Sequence, residues 1–125
     1  MKPRTQAHWA RGEENRSFAG GLVSAKDATP VAVRWAVVAT FYAAVHFVNA
    51  YFWEYHALEP RTHQTRERLV REDALLEAIY HDYLIVRLNG FAARYVPEYA
   101  ISVEIAEQLI QRLATIEETI GHALS

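Results

Sequence analysis

Polar side chains interrupt the core-facing sides of two predicted helices in the first half of the chain. Two sets occur, each at three- and four-residue steps that place its members on one helical face: His8, Arg11 and Asn15 on the first helix, and Tyr42, His46 and Asn49 on the second. Imidazole and guanidinium groups can move protons or bind phosphate. A buried imidazole costs about a few kcal/mol unless it is hydrogen-bonded, so each set needs a partner.

The two sets are expected to meet at one end of the molecule. A short loop around Asp27 joins the two helices, which makes them antiparallel neighbours. Counting equally far in both directions from that loop places His8 level with His46, to within about one helical turn. The same count pairs Phe18 with the apolar start of the second helix and predicts that Phe18 lies in the core. Two interpretations stay open: a structural network in which the polar groups bond one another, and a ligand-binding site.

Two later segments can add arginines and phenols to the same end. The first directly follows the second helix, and the other comprises the third predicted helix and the residues just after it. They supply Arg61, His63, Arg66, Tyr83, Arg94 and Tyr95. Arginine beside aromatic rings suits the recognition of phosphates and bases. The alternative is a salt-bridged surface, because the arginines between residues 61 and 71 are matched in number by nearby carboxylates.

Metal and nucleophile chemistries have weaker support. The chain has no cysteine, and none of its histidines stand four residues apart as in a helical His-x-x-x-His site. A composite metal site from His8, His46 and His63 is geometrically feasible. Gly20-Gly21 stands alone, so a glycine-rich phosphate loop is missing, and no serine adjoins a suitable base. We therefore predict no cofactor and no bound metal.

Helices must position these residues. A chain of 125 residues with 51% apolar and 22% charged residues fits one globular domain, residues 1–125. Hydrophobic periodicity and cap signals predict four helices and one shorter helical turn. They run from Thr5 to Ser24, Pro30 to about His56, Thr62 to Arg71 (the short one), Asp73 to about Asn89, and Ala100 to His122. Thr5 is the predicted first N-cap, Asn89-Gly90 the stop of the third helix, and Leu75 and Ile105 belong to core-facing stripes. The prediction is an all-α, up-and-down bundle of about four helices with a long apolar central second helix.

The second helix is apolar on all sides. The nineteen residues from Trp35 to Trp53 carry no formal charge, which is long enough to cross a bilayer. His46 and Asn49 lie inside this segment and five alanines dilute it, whereas the centre of a bundle needs such a helix. The net charge is −2, and no apolar run of signal-peptide type follows Met1. We predict a buried core helix, no membrane partner and a cytoplasmic protein.

These segments together resemble the HEPN superfamily of small helical domains. The resemblance rests on His8-x6-Asn15-x2-Phe18, on Phe41-Tyr42-Ala-Ala-Val-His46-x2-Asn49 inside the second helix, on Pro60-Arg61-Thr62-His63, and on Asp82-Tyr83 with Ala93-Arg94-Tyr95. Such domains often occur beside nucleotidyltransferases and in toxin–antitoxin pairs. The resemblance implies an up-and-down helical bundle, frequently a homodimer, that acts on or near nucleotides or RNA.

One motif of the ribonuclease members is missing. Their Arg-x4–6-His motif brings arginine and histidine together across a dimer cleft for metal-independent cleavage, and no arginine here precedes a histidine at that spacing. The resemblance therefore implies a domain that binds a nucleotide, RNA or a partner protein without the standard ribonuclease activity. Its ligand-binding residues would be His8, Asn15, Tyr42, Asn49, Arg61, Arg66, Tyr83 and Tyr95. A structural or toxin–antitoxin interaction module is the alternative. A rebuilt endoribonuclease site of His46, His63 and Arg94 is a third, so the question of enzymatic activity stays open.

Overall fold

A computed structural model describes all 125 residues and consists of helices joined by short connections. The five α-helices are α1 (Pro3–Ser24), α2 (Pro30–His56), α3 (His63–Glu72), α4 (Tyr80–Tyr95) and α5 (Val103–Leu124), and one 3₁₀ turn, Leu76–Ile79, precedes α4. No strand is present. The predicted all-α bundle with a long apolar second helix is confirmed. The segment predicted as a helical turn or two is the full helix α3, capped by the Thr62 hydroxyl, which accepts from the backbone N–H of Thr65.

Helix α2 lies at the centre of the bundle and packs against α1, α4 and α5. It is the one helix that is long and apolar enough to cross a membrane by length and composition, with a mean hydropathy of 1.6 over the most apolar window. Of that window, 67% is buried inside the bundle. A helix surrounded by other helices needs an apolar surface on every side. Packing against three helices therefore accounts for the composition of α2.

Two glycines let the neighbouring helices approach α2 closely. A Cβ atom added to Gly12 of α1 would lie 2.5 Å from the ring of Phe47, and one added to Gly90 of α4 would lie 2.5 Å from Cβ of Phe41. Carbon atoms in contact are normally about 3.5–4.0 Å apart, so both positions exclude a side chain. The predicted helix stop at Asn89-Gly90 is wrong. Gly90 is a packing residue inside α4, which continues to Tyr95.

The buried face of α1 differs from the predicted one. The helix begins at Pro3 instead of after Thr5, and the Thr5 hydroxyl is buried and donates to Oε1 of Glu54 at 2.8 Å. Phe18, predicted to lie in the core, is 57% exposed. The small residues Gly12 and Ala19 face α2 instead, because two closely packed helices leave no room for a large side chain between them.

The later helices begin at different residues from those predicted. Asp73 caps the turn before α4, since its Oδ1 accepts from the backbone N–H groups of Leu75 and Leu76, and α4 itself begins only at Tyr80. Helix α5 begins after Ser102, whose hydroxyl accepts from the N–H of Ile105 at 3.2 Å. Leu75 and Ile105, predicted to face the core, are exposed because both belong to these capping turns.

Candidate functional site

Histidines of α1 and α2 meet, as the helical register predicts. The Nδ1 atoms of His8 and His46 are 3.0 Å apart, and His8 is buried. The second ring nitrogen of His8, Nε2, lies 3.2 Å from Oε1 of Glu59, in the connection after α2. Glu59 also receives two hydrogen bonds from the Arg4 guanidinium, one of them from Nε at 3.0 Å. These four side chains form one continuous hydrogen-bonded chain, named here the Glu59–His8–His46 relay.

The relay determines which ring nitrogens carry protons. Hydrogen bonds from Arg4 lower the pKa of Glu59, so its carboxylate is ionised and can only accept. Burial is the main cause that lowers the pKa of His8, and burial together with neighbouring cations lowers the pKa of His46 to about 4. Both rings are therefore neutral at pH 7. His8 must donate from Nε2 to Glu59, its Nδ1 must accept from His46, and the Nε2 of His46 is left as an unprotonated acceptor.

A shallow pocket opens beside the relay. Its volume is about 190 Å³. It is lined by Arg4, Ala7, His8, Arg11 and His46. The Nε2 of His46 has no hydrogen-bond partner in the protein, and the His46 side chain is partly exposed. Arg11 is exposed and lies 3.9 Å from its i+3 neighbour Glu14, a loose ion pair. The pocket thus combines a free hydrogen-bond acceptor with positive charge.

Arg66 of α3 is a buried cation without a carboxylate partner. It is only 4% exposed. Its Nε donates to Oδ1 of Asn49 at 3.1 Å, and its Nη2 donates to the backbone carbonyl of Pro60 at 2.7 Å. Its Nη1 lies 3.4 Å from Nδ1 of His63. Arg66 therefore does not belong to a salt-bridged surface, the alternative that the sequence left open for this segment.

His63 and Tyr83 lie on either side of Arg66. The His63 ring packs against Phe41 with a centroid distance of 5.2 Å, and burial, followed by repulsion from Arg66, lowers its pKa. Tyr83 is fully buried, and its hydroxyl has no hydrogen-bond partner. Burial raises the pKa of Tyr83 against the opposing effect of Arg66. His63 makes no hydrogen bond to His46, so the two histidines of the predicted endoribonuclease site belong to separate contacts.

The largest opening of the molecule is a groove between α2 and α4, with a volume of about 420 Å³. It is lined by Arg34, Trp35, Val38, Tyr42, Ala93, Arg94 and Tyr95. The Arg94 guanidinium lies 5.4 Å from the ring centre of Tyr42 and 4.7 Å from that of Tyr95. Arg34 lies 5.9 Å from the ring of Trp35. Neither arginine pairs with a carboxylate, and Trp35 and Tyr95 are 51% and 58% exposed.

The relay, the buried arginine and the groove all border the same side of α2. Trp35, Tyr42, His46 and Asn49 follow one another at steps of seven, four and three residues, so they share one face. The rise from the first to the last is about 21 Å at 1.5 Å per residue. Helix α1 bounds this face on one side, and α3 and α4 bound it on the other. We call it the α2 seam.

Other predicted ligand residues lie apart from these contacts. Asn15 is half-buried on α1 and Arg61 is exposed, and neither side chain makes a hydrogen bond. The structure does not bring His8, His46 and His63 together into a group of three side chains that could hold a metal ion. Sequence reasoning missed Arg34, Trp35 and Glu59 as site residues. The signal for Arg34 was its place beside Trp35, whereas a glutamate in a connection, such as Glu59, gives no signal before the fold is known.

Comparison with known proteins identifies no relative: no protein-family model matches the sequence, and neither the curated proteins nor the solved structures give a match. The function is therefore inferred from the geometry of the α2 seam.

Proposed function

We propose that this protein binds single-stranded RNA along the α2 seam. One observation carries the proposal: in the groove between α2 and α4, two arginines lie within 6 Å of the centres of exposed aromatic rings and pair with no carboxylate. Arg94 also donates a hydrogen bond to the Tyr95 hydroxyl. An exposed aromatic face accepts a base by stacking, which contributes about 1–3 kcal/mol per base. A guanidinium without a carboxylate partner can bind phosphate through two parallel hydrogen bonds. The net charge of −2 provides no general attraction to nucleic acid, so binding depends on these local groups.

This function agrees with what the resemblance to the HEPN superfamily implies, and we propose a divergent, cytoplasmic member of that superfamily. The helical bundle with its long apolar second helix agrees with the fold that the resemblance implies. Cleavage is not part of the proposal, because the Arg-x4–6-His motif is missing and because His46 and His63 belong to separate contacts. The binding groups are instead Arg34, Trp35, Tyr42, Arg94 and Tyr95.

A second candidate function is association with a partner protein, and one observation favours it. Leu88, Phe91 and Tyr95 follow one another at three- and four-residue steps on α4, and each is about half exposed. Such an apolar helical face suits a second copy of this chain, or an antitoxin-type or nucleotidyltransferase-type partner. Because Tyr95 also lines the groove, RNA and a protein partner would compete for the same surface.

The test is a binding titration of the purified protein with a fluorescent oligouridylate of about ten nucleotides, followed by anisotropy in EDTA. Intrinsic fluorescence gives a second readout, since a base stacked on the exposed indole of Trp35 quenches that part of the signal of the three tryptophans, and the quenching should be lost in Trp35→Ala. Contacts with about two phosphates predict that log Kd rises with log salt concentration with a slope of about 1.4. Gel analysis of the same samples shows whether the RNA stays intact.

The variants Arg94→Ala and Trp35→Ala should each weaken binding by about tenfold or more. Arg68→Ala is the matched control, because Arg68 is an exposed arginine of α3 that pairs with Glu72 outside the groove. Circular dichroism and thermal unfolding verify that each variant folds. Absence of binding, or equal loss in all three variants, would overturn the proposal. Sedimentation that shows a concentration-dependent dimer, lost in Phe91→Asp, would support the partner-protein candidate instead.

A further inference from the structure

The Glu59–His8–His46 relay ends in a nitrogen atom with only one chemical role. Nε2 of His8 lies 3.2 Å from the Glu59 carboxylate, and the two Nδ1 atoms of His8 and His46 lie 3.0 Å apart. With both rings neutral, His8 donates to Glu59 and His46 donates to His8, so Nε2 of His46 is unprotonated and can only accept. It has no partner in the protein, and the partly exposed His46 ring lines the pocket beside α1. A ligand at this position must therefore offer a hydrogen-bond donor or a metal ion.

The charges around the pocket select between these two kinds of ligand. Arg4 and Arg11 line it together with the histidines. Arg4 is occupied by Glu59, whereas Arg11 has only the loose contact with Glu14 at 3.9 Å. A metal ion would be placed beside two guanidinium groups, which repel it. A neutral hydroxyl with an anionic group close to it satisfies both the acceptor and Arg11.

The pocket lies next to the proposed RNA groove. Tyr42, on which Arg94 stacks, precedes His46 by one helical turn, a rise of about 6 Å along α2. A strand whose phosphate is held by Arg94 would bring the following ribose and phosphate toward His46 and Arg11. The 2′-hydroxyl of ribose is a hydrogen-bond donor next to a phosphate, and deoxyribose lacks it.

We propose that His46 is a specificity-determining residue whose Nε2 accepts a hydrogen bond from a ribose 2′-hydroxyl, with His8 and Glu59 as positioning residues that keep this nitrogen unprotonated. The proposal rests on the proposed function, since it assigns a role to one site on the same seam. This hydrogen bond makes the seam selective for RNA over DNA, and the selectivity does not depend on the contacts to the bases.

The experiment compares two probes that differ only in the 2′-hydroxyl: an oligouridylate and an oligodeoxyuridylate of the same length, each titrated in EDTA at neutral pH. We expect the wild-type protein to bind the ribose form about three- to tenfold more tightly, the effect of one hydrogen bond. His46→Phe keeps a flat ring without the acceptor, and the ratio of the two affinities should fall to about one. Arg68→Ala should leave both affinities unchanged. Trp35→Ala should weaken both probes together and keep the ratio.

The positioning residues have their own readout. Glu59→Gln preserves a carbonyl oxygen that accepts from His8 and should keep the ribose preference, whereas Glu59→Leu should reduce it. Nitrogen chemical shifts from NMR report the tautomers directly, and Nε2 of His46 should be unprotonated in the free protein.

The outcomes separate the two proposals. Equal affinity of the wild-type protein for both probes, or a proton on Nε2 of His46, would overturn the role of His46 and leave RNA binding standing. Failure of both probes to bind would overturn both proposals.

Discussion

The close approach of α4 to α2 at Gly90 predicts that the substitution Gly90→Ala lowers the stability of the protein. In Gly90→Ala the new Cβ atom would lie 2.5 Å from Cβ and 2.7 Å from Cγ of Phe41. Phe41 is almost fully buried, and its Cβ is attached directly to the backbone of α2, so no side-chain rotation relieves the contact. Carbon–carbon contacts need about 3.5–4.0 Å, and α4 must therefore move away from α2 by about 1 Å.

The magnitude follows from two opposing effects. Overpacking of a well-packed core destabilises by typically about 1–3 kcal/mol, and more where the backbone must move. Replacing glycine by alanine inside a helix stabilises by about 1 kcal/mol. Because the two clashing Cβ atoms are each attached directly to a helix backbone, we expect the free energy of unfolding to fall by about 2 kcal/mol. That loss lowers the melting temperature by roughly 5–10 °C in a chain of this size.

Gly20→Ala supplies the matched control, because Gly20 is also inside a helix and a Cβ there meets nothing within 4 Å. This variant should gain up to about 1 kcal/mol. Urea unfolding followed by far-ultraviolet circular dichroism measures the free energy of unfolding of both variants. If Gly90→Ala is as stable as Gly20→Ala, Gly90 does not determine the distance between α2 and α4. The width of the groove between these two helices, which contains Arg94, would then differ from the one described above.

Two more predictions concern the buried polar groups. The pKa of His46 in the folded protein, about 4, lies below the unfolded value of 6.5, so the unfolded chain binds more protons between these values. The free energy of unfolding should therefore fall as the pH falls from about 6.5 to about 4, by about 1–2 kcal/mol after allowing for the partial exposure of the ring. The same titration on His46→Phe should show a smaller slope, and an unchanged slope would contradict the assignment. Separately, Arg66→Lys should destabilise by about 2–4 kcal/mol, because it leaves the buried oxygens of Asn49 and Pro60 without their donors. Arg68→Lys, on the exposed side of α3, should change stability by less than about 0.5 kcal/mol in the same denaturation assay, and similar losses in the two variants would refute the role of Arg66.

The helical fold could be predicted because its signals are local. The Thr29-Pro30 start of α2 and the apolar periodicity of α5 are properties of neighbouring residues. The wrong predictions concern residues whose environment is determined by side chains from other helices. Gly90 has the sequence features of a helix stop, and only the position of Phe41 on another helix explains why the helix continues. Phe18 has the features of a core residue, and only the tight α1–α2 contact excludes it.

The candidate site could be predicted where helical register alone was sufficient. The short loop between α1 and α2 placed His8 beside His46, and the structure has their nitrogen atoms 3.0 Å apart. Helical register gave no information on Glu59, because a residue after the end of a helix has no fixed direction relative to the faces of that helix. It also gave none on Arg66, whose bonds to Asn49 and Pro60 depend on how α3 turns back across α2.

Arg66 also bears on whether the polar groups of the seam form a structural network or a binding site. A buried charge is normally paired, because desolvation costs more than dipoles alone return. If Arg66 served only stability, a carboxylate would be expected at the position of Asn49, one helical turn from His46. Asn49 instead satisfies the geometry of the guanidinium and leaves its charge uncompensated. Burial is the main cause that lowers the pKa values of both His46 and His63, and the charge of Arg66 adds to it. The imidazoles therefore stay neutral, while the same charge makes the seam attractive to an anion. The proposed site for a phosphate next to a hydroxyl requires both properties, whereas stability alone requires neither.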